Sequence, residues 1–246
     1  MPVKILDVNP SDYDKQDKVA YDAAQKWLAR IPELFITDRA RQTVIGISEV
    51  GMDCRKCVAR KLAERPRTPD GSWYPFIGTA VHEQLELGFA RWPESYKLEE
   101  RLFVHEYKNL KLSGSCDMFA YKDGVVNDWK VVGERAIKEA EKGKIKNQYR
   151  VQAMLYGLGW KKKGFDVTHV ALSFLPRDKD LPEAQVVMLR YDEELAMKSL
   201  AELEVLIDAA ELVGWDAVIE KQEKASFCWD CKKYEQQNEG DVESLI

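Results

Sequence analysis

A chain of 246 residues, 45% hydrophobic and 32% charged, is long enough to bury a sizeable core in one α/β domain or two small ones. No apolar run reaches bilayer length, no secretory signal opens the sequence and no GxxxxGK[ST] loop occurs; these set aside a membrane-spanning, an exported and an NTP-driven reading, and a cytoplasmic location is the expectation. The net charge of −5 argues against a general basic coat for nucleic acid and leaves room for a local basic groove.

Ser11 to Arg30 reads as a helix capped by Ser11, with Val19, Ala23, Trp27 and Leu28 on its apolar face. Ser48 reads as the N-cap of a second helix that runs toward Arg65 and is stopped by Pro66. Arg65 to Ser72, with Pro66, Pro69 and Gly71, is a loop, and Phe76 to Arg91 is a third helix. Three strands are predicted next, over Lys97–Tyr107, Leu110–Tyr121 and Val125–Val132. A helix over Ile145–Gly164 precedes strands at Val167–Pro176 and Ala184–Tyr191. Asp192 to Glu223 is a long helix interrupted near Gly214. Basic residues gather at Arg55–Arg67, Lys138–Lys146 and Lys161–Lys163, each read as a solvated helix face. No linker divides the chain, so a single domain over residues 1–246 is expected, with its core at about 76–191.

The most informative stretch joins LSGSCDMFAY to GVVNDWKVVG through Lys122, Asp123 and Gly124. Asp-Gly between two strand-like runs is a hairpin signal. Alternate residues of a strand face the same way, so Asp128 and Lys130 share a face, and Asp117 reaches it from the paired strand. Two carboxylates and an ammonium at one point make a hard-cation site with a positive charge beside it. That arrangement suits metal-assisted attack of water on a phosphodiester. The plainer reading is a surface hairpin with a solvated Asp–Lys pair. Against it, Val125, Val126, Val131 and Val132 flank the charges as in a strand buried on both faces, where unpaired charge is costly.

Four ordered segments, GTAVHEQLE with His82, GSCD ending in Asp117, DWK from Asp128 to Lys130 and QAMLY from Gln152 to Tyr156, together resemble the RecB-like branch of the PD-(D/E)XK nuclease superfamily. The Pro-Asp that names the superfamily is Cys116-Asp117 here. The resemblance implies an α/β fold with a central mixed sheet flanked by helices, the restriction-endonuclease-like core. It implies Mg²⁺ or Mn²⁺ held by His82, Asp117, Asp128 and the backbone carbonyl of Trp129. Lys130 would orient the attacking water, and Gln152 and Tyr156, one helical turn apart, would position substrate or Lys130. Glu83 and Glu86 lie near the site by sequence and read as exposed helical acids. His105 and His169 carry no partner motif and read as structural or surface residues.

The chain has 5 Cys: Cys54 and Cys57, Cys228 and Cys231, and the singlet Cys116. Two CxxC pairs near opposite ends supply four thiolates for zinc or for an iron–sulfur cluster, and spacing does not separate these. The resemblance to CRISPR-associated RecB-like exonucleases and AddB-type nuclease domains favours iron–sulfur, 4Fe–4S first, with 2Fe–2S or zinc as alternatives. The two-and-two distribution departs from the one-and-three arrangement of those proteins. In either form the site would clamp helical segments 48–65 and 192–234 together, with Trp229 and Tyr234 shielding it. Cys116 reads as a small buried thiol.

The expected function is a metal-dependent DNA exonuclease acting on single-stranded DNA or DNA ends, in recombination, repair, or phage or CRISPR DNA processing, with a helicase or recombination protein as partner. The rival readings are a non-catalytic DNA-binding or scaffold subunit and a restriction-type endonuclease.

Overall fold

In a computed structural model of the protein, the described residues are 22–26, 30, 43–67, 73–226 and 228–234. The helix expected over Ser11–Arg30 falls largely outside them; residues 22–26 and 30 are helical. Residues 68–72 of the expected loop also lie outside.

Five strands form one mixed sheet in chain order: β1 (Tyr96–Tyr107), β2 (Leu110–Ala120), β3 (Val125–Val132), β4 (His169–Pro176) and β5 (Gln185–Arg190). All neighbours are antiparallel except β3 and β4, which run parallel from Val125↔His169 to Val132↔Pro176. A parallel pair needs a long crossover. Here it is made by α4 (Glu134–Glu141) and α5 (Asn147–Lys162). The β2–β3 hairpin turns at Gly124, whose φ of 68° is the left-handed conformation that glycine adopts freely. The mixed sheet flanked by helices is the α/β architecture expected from the sequence.

α5 is the centre of the molecule. Its stretch from Val151 to Trp160 is buried all round, because it lies between the sheet and the helices α1 (Ile47–Val50) and α6 (Glu193–Val213). Two glycines permit that closeness. A Cβ at Gly157 would stand 2.5 Å from the Tyr191 ring, and one at Gly159 would stand 2.9 Å from Leu102 Cβ. Leu102, Phe119, Leu155, Trp160, Leu172 and Leu203 are fully buried in this core.

The expected helix from Ser48 to Arg65 is two helices. Gly46, in extended conformation, opens the first: Glu49 Oε2 accepts the Gly46 N–H at 2.8 Å. The chain then breaks at Gly51 and restarts with Cys54 as N-cap of α2 (Arg55–Leu62). α3 (Trp73–Phe89) begins earlier than predicted and leans on β1 and β3 with none of its residues fully buried. The long C-terminal helix is interrupted where expected, at Gly214 with φ 82°, between α6 and α7 (Trp215–Lys221). α4 was not foreseen, since in ERAIKEAE only Ile137 and Ala140 are buried, and its form depends on packing against β4 and β5. Among the described residues, no helix is long and apolar enough to cross a membrane.

Candidate active site

β2 and β3 are paired from Ala120↔Val125 to Met118↔Asn127, and the next residues carry the chemistry. Beyond that point the Trp129 N–H is taken by a side chain: Asp117 Oδ2 accepts it at 2.7 Å. This bond fixes the Asp117 carboxylate against β3. His82, near the middle of α3, brings Nδ1 to 3.6 Å from the same oxygen. α3 is oriented over β3 by Phe89, which stacks on Trp129 with ring centroids 5.6 Å apart.

Asp128, fully buried, lies on β3 beside Lys130, whose Nζ is 2.5 Å from Asp128 Oδ2. The Lys130 ammonium offsets the burial of this carboxylate, while Asp128 Oδ1 has no hydrogen-bond partner among the described residues. Lys130 Nζ also donates to Gln152 Oε1 at 2.8 Å, and Gln152 Nε2 donates to the Tyr156 hydroxyl at 3.5 Å. Lys130 further lies over the Tyr149 ring at 4.8 Å. The sequence-predicted residues Asp117, Asp128, Lys130, His82, Gln152 and Tyr156 are therefore brought into one neighbourhood, along with Trp129. Glu83 and Glu86 are exposed.

One residue was missed. Glu99 on β1 lies between the Leu98↔Met118 and Glu100↔Cys116 pairs, opposite Asp117. Its φ of 45° is a left-handed conformation, unusual for a non-glycine and strained within a strand. Ligand atoms of His82, Glu99 and Asp117 lie within 4.8 Å of one another. The tight group thus contains Glu99, with the Asp128–Lys130 pair alongside. In KLEERL an acid reads as the outward position of an alternating strand; the only hint was the doubled Glu99-Glu100, which breaks the alternation.

The electrostatics follow from burial. Desolvation lifts the Asp128 carboxyl to about 6, with Asp117 adding to the rise and Lys130 and His82 opposing it. For His82, burial favours the neutral ring, but Asp117, Asp128 and Glu99 outweigh it and the ring titrates above its ordinary value. Burial, then the charge of Asp128, raises the Tyr156 phenol, which stays a neutral hydrogen-bonding group. Excess negative charge, a buried carboxylate paired with a lysine and an imidazole in one place are a donor set that fits a divalent cation.

Cys54, Cys57, Cys228 and Cys231 form a second cluster, all four Sγ atoms lying within 4.8 Å of one another. It joins α2 to the segment after α7, as the sequence indicated. Arg55 on α2 pairs with Glu202 of α6 at 3.7 Å, Arg65 with Asp216 of α7, and Arg67 with Asp230 after α7 at 3.6 Å, so much of this basic cluster is spent on ion pairs. Tyr234 is buried beside the site, but Trp229 is 66% exposed, so it does not provide the shielding expected of it. Cys116 is separate: its buried Sγ accepts the Trp160 indole N–H at 3.4 Å. His105 bonds Glu204 at 2.8 Å and His169 bonds Thr168 at 3.0 Å, both away from the site.

No protein-family model matches the sequence, and no curated protein matches it. Solved structures do match in fold. An alkaline exonuclease (LHK-Exo) from Laribacter hongkongensis is 12% identical, with a TM-score of 0.50 over 76% of this chain and 94% of its own. The same enzyme in complex with dAMP is 13% identical with a TM-score of 0.51 over the same shares. A phage-related exonuclease from Haemophilus somnus 129PT is 15% identical, with a TM-score of 0.51 over 78% of this chain and 99% of its own. At such identities the likeness is one of fold.

Proposed function

We propose that this chain is a metal-dependent deoxyribonuclease of the PD-(D/E)XK type that works as an exonuclease on single-stranded DNA or DNA ends. The observation that carries the reading is the convergence of His82, Glu99 and Asp117 beside the buried Asp128–Lys130 pair, on a fold shared with exonucleases. His82, Glu99, Asp117 and Asp128 would hold a divalent cation, which would supply Lewis-acid polarisation of the phosphodiester and a more acidic water. Lys130, aimed by Gln152, places its ammonium where negative charge develops in the transition state. Tyr156 holds Gln152 from the far side. Glu99 and Asp117, facing each other across the β1–β2 ladder, set the separation of the acidic ligands.

Single strands are favoured by what surrounds the centre. Trp73 and Tyr74, at the start of α3, are 51% and 58% exposed, and the Arg177 guanidinium lies 3.9 Å from the Tyr74 ring centroid. Tyr74 precedes His82 by about two helical turns, roughly 12 Å along the axis. Exposed aromatics backed by an arginine at that distance suit stacked, unpaired bases. The complex of a fold neighbour with dAMP supports DNA as the substrate class.

The test is cleavage of DNA labelled at either end, single- or double-stranded, with Mn²⁺ or Mg²⁺, by the wild type and by Asp128→Ala. Metal-dependent release of nucleotides from one labelled end by the wild type alone is the expected result. Equal cleavage by a rigorously purified Asp128→Ala protein would refute the assignment.

A further inference from the structure

We propose that Cys54, Cys57, Cys228 and Cys231 hold one tetrahedral zinc ion, and not an iron–sulfur cluster. The proposal goes beyond the nuclease reading and holds whether or not the chain cuts DNA.

The sulfur positions carry it. Cys57 Sγ lies 3.3 Å from Cys231 Sγ and 3.6 Å from Cys228 Sγ, and Cys54 Sγ lies 3.6 Å from Cys231 Sγ. None of the six separations exceeds 4.8 Å. Four thiolates on one ion with arms of about 2.3 Å form a tetrahedron whose edges are about 3.8 Å. The three sulfur contacts, at 3.3 to 3.6 Å, lie a little under that figure, and the other separations stay within 4.8 Å.

An iron–sulfur cluster asks for a different arrangement. In a cubane each thiolate sits on its own iron and points away from the other three, so no two thiolates touch. In a two-iron cluster the thiolates divide into two pairs, one per iron, with the cluster body between the pairs. Here the contacts run Cys54–Cys231–Cys57–Cys228 without a break. All four sulfurs are linked by contact, and no division into two separated pairs exists. The distances are also far longer than the roughly 2.05 Å of a disulfide bond.

The surroundings agree. The first CxxC turns at the start of α2, where the Cys57 N–H donates to the Cys54 carbonyl at 3.0 Å. Three of the four cysteines are buried and Cys228 is partly so, which makes a closed four-ligand site with no open position for a substrate. Such a site is structural: it joins two segments about 170 residues apart in the chain, and the ion binds the folded form only.

The experiment uses the full chain, expressed with both zinc and iron in the medium and purified without air. Metal content and acid-labile sulfide are measured together with the visible spectrum. One zinc per chain, no sulfide and a colourless protein are expected. Replacement of the zinc by Co²⁺ should then give the intense visible bands of a tetrahedral tetrathiolate. Stoichiometric titration of the folded wild type with a mercurial should release the zinc as four thiols react, while Cys116 reacts only after denaturation. This measurement stands even where Cys54→Ser or Cys231→Ser fails to fold. Iron with sulfide, one iron without sulfide, or four freely reactive thiols and no metal would each overturn the proposal.

Discussion

Asp117 accepts the backbone N–H of Trp129 at 2.7 Å, just past the last β2–β3 ladder pair, Met118↔Asn127. A proposed metal ligand is thus held in place by a main-chain donor of the strand that carries Asp128 and Lys130. The two roles of Asp117 separate by substitution. Asp117→Asn keeps an acceptor for Trp129 and should fold normally, yet bind Mn²⁺ at least tenfold more weakly. Asp117→Ala should lose metal affinity and, in addition, about 1–3 kcal/mol of stability from the unsatisfied N–H. Calorimetric Mn²⁺ titration with urea unfolding of the metal-free proteins checks both; equal stability of the two variants would remove the structural role.

Glu99 is expected to matter as much as the residues that the sequence motifs mark. Glu99→Gln should weaken Mn²⁺ binding and lower cleavage without changing the fold, since its carboxylate groups with His82 and Asp117. His82→Ala should abolish a preference for Mn²⁺ over Mg²⁺, because imidazole is a better partner for the softer ion. Paramagnetic resonance of bound Mn²⁺ and cleavage rates in each metal are the readouts. Unchanged metal affinity in Glu99→Gln would exclude it from the site.

Asp128 should make the metal-free protein more stable as the pH falls from above 6 toward 4. Asp128 titrates at about 6 in the folded chain, against an ordinary carboxyl value of 3.8. The folded state therefore holds the proton more tightly, so stability is gained as pH drops through 6 toward 4 and lost as it rises. His82, also raised, acts in the same direction above its ordinary value. Asp128→Asn should raise the Tm of the metal-free protein by several degrees at pH 8, and this advantage should shrink on acidification and vanish near pH 4. A pH-independent difference would place the effect elsewhere.

The exposed aromatics at the start of α3 should govern strand binding, not chemistry. Tyr74→Ala and Arg177→Ala are each expected to weaken binding of single-stranded DNA by about 1–3 kcal/mol, with Arg177→Ala also lowering the salt dependence. Rates at saturating DNA should change little. Fluorescence anisotropy at several salt concentrations, in Ca²⁺ to suppress cleavage, measures this; unaltered affinity in both variants would remove the stacking surface.

Much of this protein is legible in its sequence, and for local reasons. The alternation in β1 to β3, the Asp-Gly turn and the break at Gly214 are written in residues a few positions apart. The grouping of Asp117, Asp128 and Lys130 follows from one hairpin and the period of a strand, and that of Gln152 and Tyr156 from one turn of helix. Other features arise between distant segments. Glu99 takes a left-handed φ inside β1, and an acid that reads as solvent-facing groups with His82 and Asp117. α4 has too few apolar positions to declare itself and takes form by packing on β4 and β5. The cysteine spacing admits zinc and iron–sulfur alike, and it is the contact between sulfurs on opposite ends of the chain that points to one ion. Sequence sets which side chains are available and how each local segment repeats. Distances between segments far apart in the chain are decided only when the core around α5 closes, because packing and not local preference determines how near they come.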